Sequence, residues 1–237
     1  MSQIQQATTR NRLLRALAPA DFALLQPHLE PMTTQLREEM IEANVPVREL
    51  YFPEVGFISV ATATMGRHIE IGLIGPEGLV GAAPVLLASD CTPHRSFIQM
   101  AGEVLMIGAV EIRAAVREST TLREVMLRYI HTLMVQATLT AHAHASLNIE
   151  GRLARWLLMC HDRVDGDELT MTHEFLSMML GVQRAGVTLA LQNLEGAGRI
   201  KSRRKRIQIL DRNKLEQLAD GSYGVAEAEY ARLIGGA

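Results

Sequence analysis

Cysteine is scarce. Only Cys91 and Cys160 occur in 237 residues, far apart in sequence and in no metal-type pair. Both read as reduced, partly buried thiols, and no cysteine-held metal is indicated. No run approaches the roughly 20 apolar residues of a membrane span. The polar N-terminus lacks the apolar core of a secretory signal. Cytoplasm follows by elimination, with no membrane partner. Charge of one sign is also missing: the net charge is −2, which by itself suggests no nucleic-acid partner. No nucleophile–base pair or carboxylate dyad carries a sequence signature, so the chain reads as no enzyme. There is no internal repeat and no low-complexity tract.

Proline is absent beyond Pro93, and all eight prolines lie at or before it. That boundary divides two textures. Thr8 to Leu29 alternates Arg and Leu, with Pro19-Ala-Asp suggesting the start of a second short helix. From Pro31 to Gly108, glycines punctuate short apolar runs. Ile69, Ile71 and Leu73 alternate with His68, Glu70 and Gly72, which is strand periodicity. Tyr51 to Val60 reads as two strands around a turn, and Val104 to Ile107 as another. Several short strands with turns between them suggest a small barrel or roll. With 48% apolar residues the chain can bury the core of two ordinary domains.

From Glu111 onward the pattern is helical. Leu122, Met126, Tyr129, Leu133, Gln136, Thr140, Ala143 and Leu147 fall at alternating spacings of four and three, a heptad seam. A second stripe, Leu127, Ile130, Met134, Ala137 and Ala141, can face the roll. Two stripes need two partners: one is the roll, and the other is most simply a second copy of the same helix. A helix buried within one chain is the alternative. Asn148 and Gly151 interrupt the helix. Leu153, Trp156, Leu157, Cys160 and Val164 then line one face of the next.

The basic residues gather near the C-terminus, and local field matters more than the total. Met171 to Asp211 reads as a helix, a tight turn at Gly181, a second helix and a basic hairpin. Leu176, Leu180, Val182, Val187 and Leu191 are what two crossed helices must bury. Ser177 is small at the crossing, and Gly181 can take the left-handed backbone that ends a helix. Thr172 suits the first N-cap. Six of the eight residues from Arg199 to Arg206 are Arg or Lys. A solvated charged hairpin is the plainer account, but it follows a helix-turn-helix, and phosphate charge dominates DNA affinity. Gln183, Arg184 and Thr188 lie near the start of the second helix, where base edges are read. Arg199, Lys201, Arg203, Arg204, Lys205 and Arg206 are the expected phosphate contacts. The hairpin turn near Arg204-Lys205 lacks a glycine.

This stretch resembles the DNA-binding domain of the Crp/Fnr family of bacterial transcription regulators, and the likeness extends over nearly the whole chain. It implies an α+β fold: an N-terminal β-roll (cupin-like, of the cyclic-nucleotide-binding type), a long dimerisation helix, and a C-terminal winged helix-turn-helix. The expected division is 1–118, 119–148 and 149–237. The implied partners are double-stranded DNA, a second copy of the chain through a seam of Leu122, Met126, Tyr129, Leu133, Gln136 and Thr140, and RNA polymerase. The family commonly has Arg-Glu at Arg184-Ala185 and Arg at Leu189, so only the first of three is kept, and the operator should differ.

Gly75 to Gly81 lies where the family places its phosphate-binding cassette, making Gly78, Gly81, Arg95 and Ser96 the effector-site candidates. Ala82 stands where the family has the glutamate that holds a ribose hydroxyl, and Pro84 replaces a small flexible residue. Turn chemistry explains the two glycines more simply than phosphate binding does, and a surface or ion-paired arginine accounts for Arg95 as well as an anion-binding role. The usual cyclic nucleotide is therefore not expected. Oxygen-sensing members carry an N-terminal cysteine cluster, absent before Cys91, so no iron–sulfur cluster and no other cofactor is expected. His142 and His144 point to different helix faces, and His131, His161 and His173 lie elsewhere, so no metal site is expected. The reading is a dimeric, sequence-specific regulator with a degenerate effector pocket. The alternative is a constitutive or architectural DNA-binding dimer whose roll is structural or controlled by a protein partner.

Overall fold

The computed structural model describes residues 4–64 and 67–235, and at 63, 64, 67 and 68 the backbone alone. The side chain of His68 thus lies outside the described residues. Two short helices, α1 (Arg12–Arg15) and α2 (Pro19–Leu25), open the chain. Strands β1 (Glu30–Thr33), β2 (Glu39–Ile41), β3 (Glu49–Thr64) and β4 (Arg67–Ile74) follow. Then come α3 (Ala82–Leu86), β5 (His94–Gly108), α4 (Ala109–Glu118) and the long α5 (Thr120–Ser146). The sheet has the order β1-β5-β3-β4, with β2 also pairing with β5. The remainder comprises α6 (Ile149–His161), β6 (Glu168–Thr170), α7 (His173–Leu180), α8 (Arg184–Gly196), β7 (Ile200–Arg203), β8 (Arg206–Ile209), α9 (Arg212–Leu218) and α10 (Val225–Leu233). Compact packing divides the chain into a first unit (Met1–Val60, Ile74–Met134 and Ala228–Ala237) and a second (Ala61–Leu73 and Val135–Glu227).

Two strands around a turn were expected from Tyr51 to Val60, but β3 runs through as one strand. Gly56 adopts φ +83, and a Cβ there would lie 3.0 Å from the Ala101 carbonyl oxygen. A Cβ on Gly102 would in turn approach the Gly56 nitrogen to 3.0 Å. The glycine therefore bends the strand locally, where a turn would have reversed it. The core of the first unit gathers Leu13, Leu14 and Phe22 from the opening helices, Leu50, Phe52 and Ile58 from β3, and Ile112 from α4. Ile234 at the C-terminal end joins it, and the Tyr230 hydroxyl donates to the Glu77 carbonyl at 2.7 Å.

The expected dimer seam needs correction. Leu122, Met126 and Tyr129 are buried in that core within one chain, and Leu133 packs partly buried against it. Gln136 and Thr140 are buried too. Gln136 behaves as a piece of strand: its amide oxygen accepts from the Leu73 N–H at 2.8 Å and its nitrogen donates to the Leu73 carbonyl at 3.1 Å. The stripe assigned to the roll contains the exposed apolar residues instead, Leu127 and Met134. The physical reason is volume: the large aromatic and aliphatic groups of the first stripe fill the chain's own core together with Ile130 of the second, and Leu127 and Met134 keep exposed surface.

In the second unit, Leu153, Leu157 and Cys160 of α6 are fully buried. The Trp156 indole donates to the Glu70 carboxylate at 2.6 Å, and its ring lies 6.2 Å from that of Phe175. Asn148 caps α6 by accepting from the Gly151 N–H at 2.9 Å, which explains the break after α5. Arg212 ties α9 to α6: it donates to Asp162 at 2.7 Å and to Glu216 at 3.0 Å, and bonds the Tyr223 hydroxyl.

Candidate nucleic-acid interface

Two helices and a hairpin build this surface. The Thr172 hydroxyl accepts from the Phe175 N–H at 3.1 Å and so caps α7. Gly181 ends α7 at φ +64, and the Val182 N–H returns to the Ser177 carbonyl at 3.0 Å. A left-handed residue there turns the chain sharply, and glycine takes it without a Cβ penalty. Leu176, Leu180, Val187, Leu191 and Leu194 are buried between the helices and their support. The crossing therefore follows from the spacing of these apolar residues, and it leaves the opposite face of α8 exposed.

The exposed face carries Arg184, Ala185, Leu189 and Gln192. Gln183 is the N-cap residue of α8 and makes no side-chain capping bond, so its amide is exposed and uncommitted to the helix. Thr188 is half-buried, donates to the Arg184 carbonyl at 3.0 Å and lies 3.1 Å from His173 Nδ1. Its hydroxyl is partly committed. Leu189 and Gln192 were not among the expected contacts. Their positions, four and seven residues after Ala185, were a usable helical signal.

The hairpin pairs β7 with β8 in the register Lys201↔Gln208 and Arg203↔Arg206, and β6 adds a third strand beyond β8. Ile200, Ile207 and Ile209 are buried, while Lys201, Arg203, Arg204, Lys205 and Arg206 are exposed. Strand alternation thus separates the apolar anchors from the cations. The turn without glycine is two residues long, and Lys205 takes the left-handed region at φ +61. Arg206 pairs with Glu168 at 3.0 Å, both well exposed. Arg199 is half-buried at the base of the hairpin, away from the exposed row.

The effector-site candidates belong to the first unit. Gly78 is held beneath Tyr129: a Cβ would lie 2.8 Å from the ring Cζ and 2.9 Å from Ile74 Cγ2. Gly81, at φ +86, begins α3 among Ile41, Val47 and Leu50. The backbone donors of this loop are largely used within the protein. Gly75 donates to Glu77 at 3.1 Å, Gly78 to the Gly75 carbonyl at 3.0 Å, Leu79 to the Tyr129 hydroxyl at 2.9 Å, and Val80 to the Tyr51 carbonyl at 2.8 Å. Arg95 pairs with Glu39 at 3.1 Å and lies over the Phe97 ring at 5.3 Å. Ser96 is buried on the next strand position, so the two side chains leave opposite faces of β5.

Among the described residues, no group of three or more His, Cys, Asp or Glu is placed to hold a metal ion. Nor is any helix long and apolar enough to cross a membrane. Burial raises the Cys160 thiol well above its ordinary pKa, which makes it unreactive.

Residues 151–218 match the model of the Crp-like helix-turn-helix domain. No curated protein matches the sequence. Several solved structures share the fold. A CRP-family transcriptional regulator from Thermus thermophilus is 20% identical at a TM-score of 0.66, covering 80% of this chain and 97% of its own. FixK2 from Bradyrhizobium japonicum is 16% identical at 0.70, covering 80% and 96%. The c-di-GMP-responsive global regulator CLP of Xanthomonas campestris is 17% identical at 0.64, covering 81% and 99%.

Proposed function

We propose that this chain, a member of the Crp/Fnr family of DNA-binding transcription regulators by its domain at 151–218 and its fold, acts as a cytoplasmic homodimer that reads two half-sites on duplex DNA. The observation that carries the reading is the helix-turn-helix with its row of exposed cations on one hairpin. Gln183 and Arg184 read bases: glutamine suits adenine, and arginine grips guanine bidentately. Lys201, Arg203, Arg204, Lys205 and Arg206 hold phosphates. Thr172 and Thr188 act chiefly on the geometry of the helices, given the bonds they already make. RNA polymerase is the expected protein partner by family likeness alone.

The proposed functional division is a β-roll over 1–118, a dimerisation helix over 119–148 and a DNA-binding domain over 149–237; compact packing instead groups Ala61–Leu73 with the second unit and Ala228–Ala237 with the first. The dimer forms through the exposed stripe of α5, Leu127 and Met134, because cyclic dimers place one such stripe against its copy. The effector pocket is degenerate. Four of its loop N–H groups, those of Gly75, Gly78, Leu79 and Val80, already have partners, Ala82 offers no carboxylate to a ribose, and Arg95 is paired with Glu39. These same bonds favour the second reading, a roll that is purely structural.

Selection of duplexes from a random library tests the function. The expected product is a site with half-sites one helical turn, about 10 bp, or a multiple of it, apart. Its affinity should fall steeply with salt. Enrichment of no sequence, or salt-indifferent binding, would end the reading. Titration calorimetry with cyclic AMP and cyclic GMP tests the pocket: micromolar binding abolished by Arg95→Ala would restore an ordinary nucleotide switch.

A further inference from the structure

We propose that Leu189 is a base-reading residue that selects thymine through its C5-methyl group. The proposal rests on α8 being the recognition helix. Leu189 is 59% exposed in the second helix of the motif. The core does not need it, because Val187, Ala190, Leu191 and Leu194 already fill the buried face of α8. It shares the exposed face with Ala185, four residues before it, and Gln192, three after.

A single exposed leucine needs no explanation on an ordinary surface. This one is on the helix that carries Arg184, in a domain whose hairpin exposes five further cations, Lys201, Arg203, Arg204, Lys205 and Arg206. A surface built to approach nucleic acid has a leucine where a polar side chain would read donors and acceptors. The major-groove edges of guanine, cytosine and adenine present hydrogen-bonding groups, and thymine alone adds a methyl. Leucine pressed on a hydrogen-bonding edge strips its water and returns no bond. Pressed on a methyl, it removes apolar surface from water on both sides. The residue therefore favours thymine at its position and rejects the other bases by leaving their edges unpaired.

Replacing thymine by uracil removes that methyl and leaves the base pair otherwise intact. The wild-type protein first selects its duplex from a random library. Each dT of that duplex is then changed singly to dU and titrated with wild type and Leu189→Ala. The expected result is one dT in each half-site where dU weakens wild-type binding about fourfold, the worth of one buried methyl. Leu189→Ala should bind dT and dU equally there. Its exposure means the fold is unaffected, which an unchanged thermal midpoint verifies. Wild type indifferent to every dU, or Leu189→Ala as sensitive as wild type, overturns the inference and leaves the DNA-binding reading standing. Failure to select any duplex removes both.

Discussion

Met134→Asp should dissociate the dimer and leave each chain folded. Met134 is 62% exposed and Leu127 is 45% exposed, seven residues apart on α5. Full burial of such a side chain is worth about 1.5–3 kcal/mol, so the exposed fraction of Met134 leaves roughly 1–2 kcal/mol to be gained against a partner. A twofold axis counts each residue twice, which makes truncation cost about 2–4 kcal/mol per dimer. That is roughly 30- to 900-fold in dissociation constant. Aspartate adds two like charges brought together out of water, so its effect is larger still. Sedimentation over a concentration series reads the dissociation, and far-ultraviolet circular dichroism verifies the fold. Leu133→Asp is the contrast: Leu133 packs against the core of its own unit, so its main effect should be a lower thermal midpoint. Folded monomers from Leu133→Asp with an intact Met134→Asp dimer would place the interface on the other stripe. A wild-type monomer at micromolar concentration would end the dimer altogether.

Gly78→Ala should destabilise by about 1–3 kcal/mol, because its methyl meets Tyr129 and Ile74, and the loss should shrink in a Tyr129→Phe background. Strictly additive losses across the four proteins in thermal unfolding would remove that coupling. Lys205→Gly should raise stability by about 1 kcal/mol by relieving left-handed backbone at the hairpin turn, yet weaken binding to all DNA sequences and flatten the salt slope. Stability and affinity moving in the same direction would contradict it. His144 is held below its ordinary pKa by burial first and then by Arg152 and Arg155. The unfolded chain therefore takes up a proton more readily, and stability present above pH 6.5 is lost as pH falls below it. Thermal midpoints of His144→Gln should fall less steeply across that range, and an unchanged acid limb would refute the assignment.

The helix-turn-helix half was the more legible. Gly181, Thr172 and the apolar residues from Leu176 to Leu191 act through contacts a few residues apart, and the hairpin cations declare themselves by clustering. The first unit was legible as strands but not in its joints. A glycine inside an apolar run signals either a turn or a bulge, and at Gly56 only the approach of Ala101 and Gly102 decides which. The loop from Gly75 to Gly81 looked like half an anion site, and its donors turned out to serve Tyr129, Tyr51 and Glu77.

Sequence by itself determined the kinds of element and the location of the basic surface, because helix periodicity, turn chemistry and local charge are short-range properties. It also determined that α5 carries two apolar stripes. Only the tertiary structure decided which residues of each stripe belong inside: Ile130 of the second stripe joins Tyr129 in the core, and Leu127 and Met134 of the same stripe are exposed. Both stripes repeat at spacings a helix accepts, so periodicity cannot rank them. The choice falls to volume and hydrogen bonding at residues distant along the chain: Tyr129 seats its hydroxyl on Leu79, and Gln136 completes the backbone of Leu73. Leu127 and Met134, on the other stripe, keep much of their surface exposed.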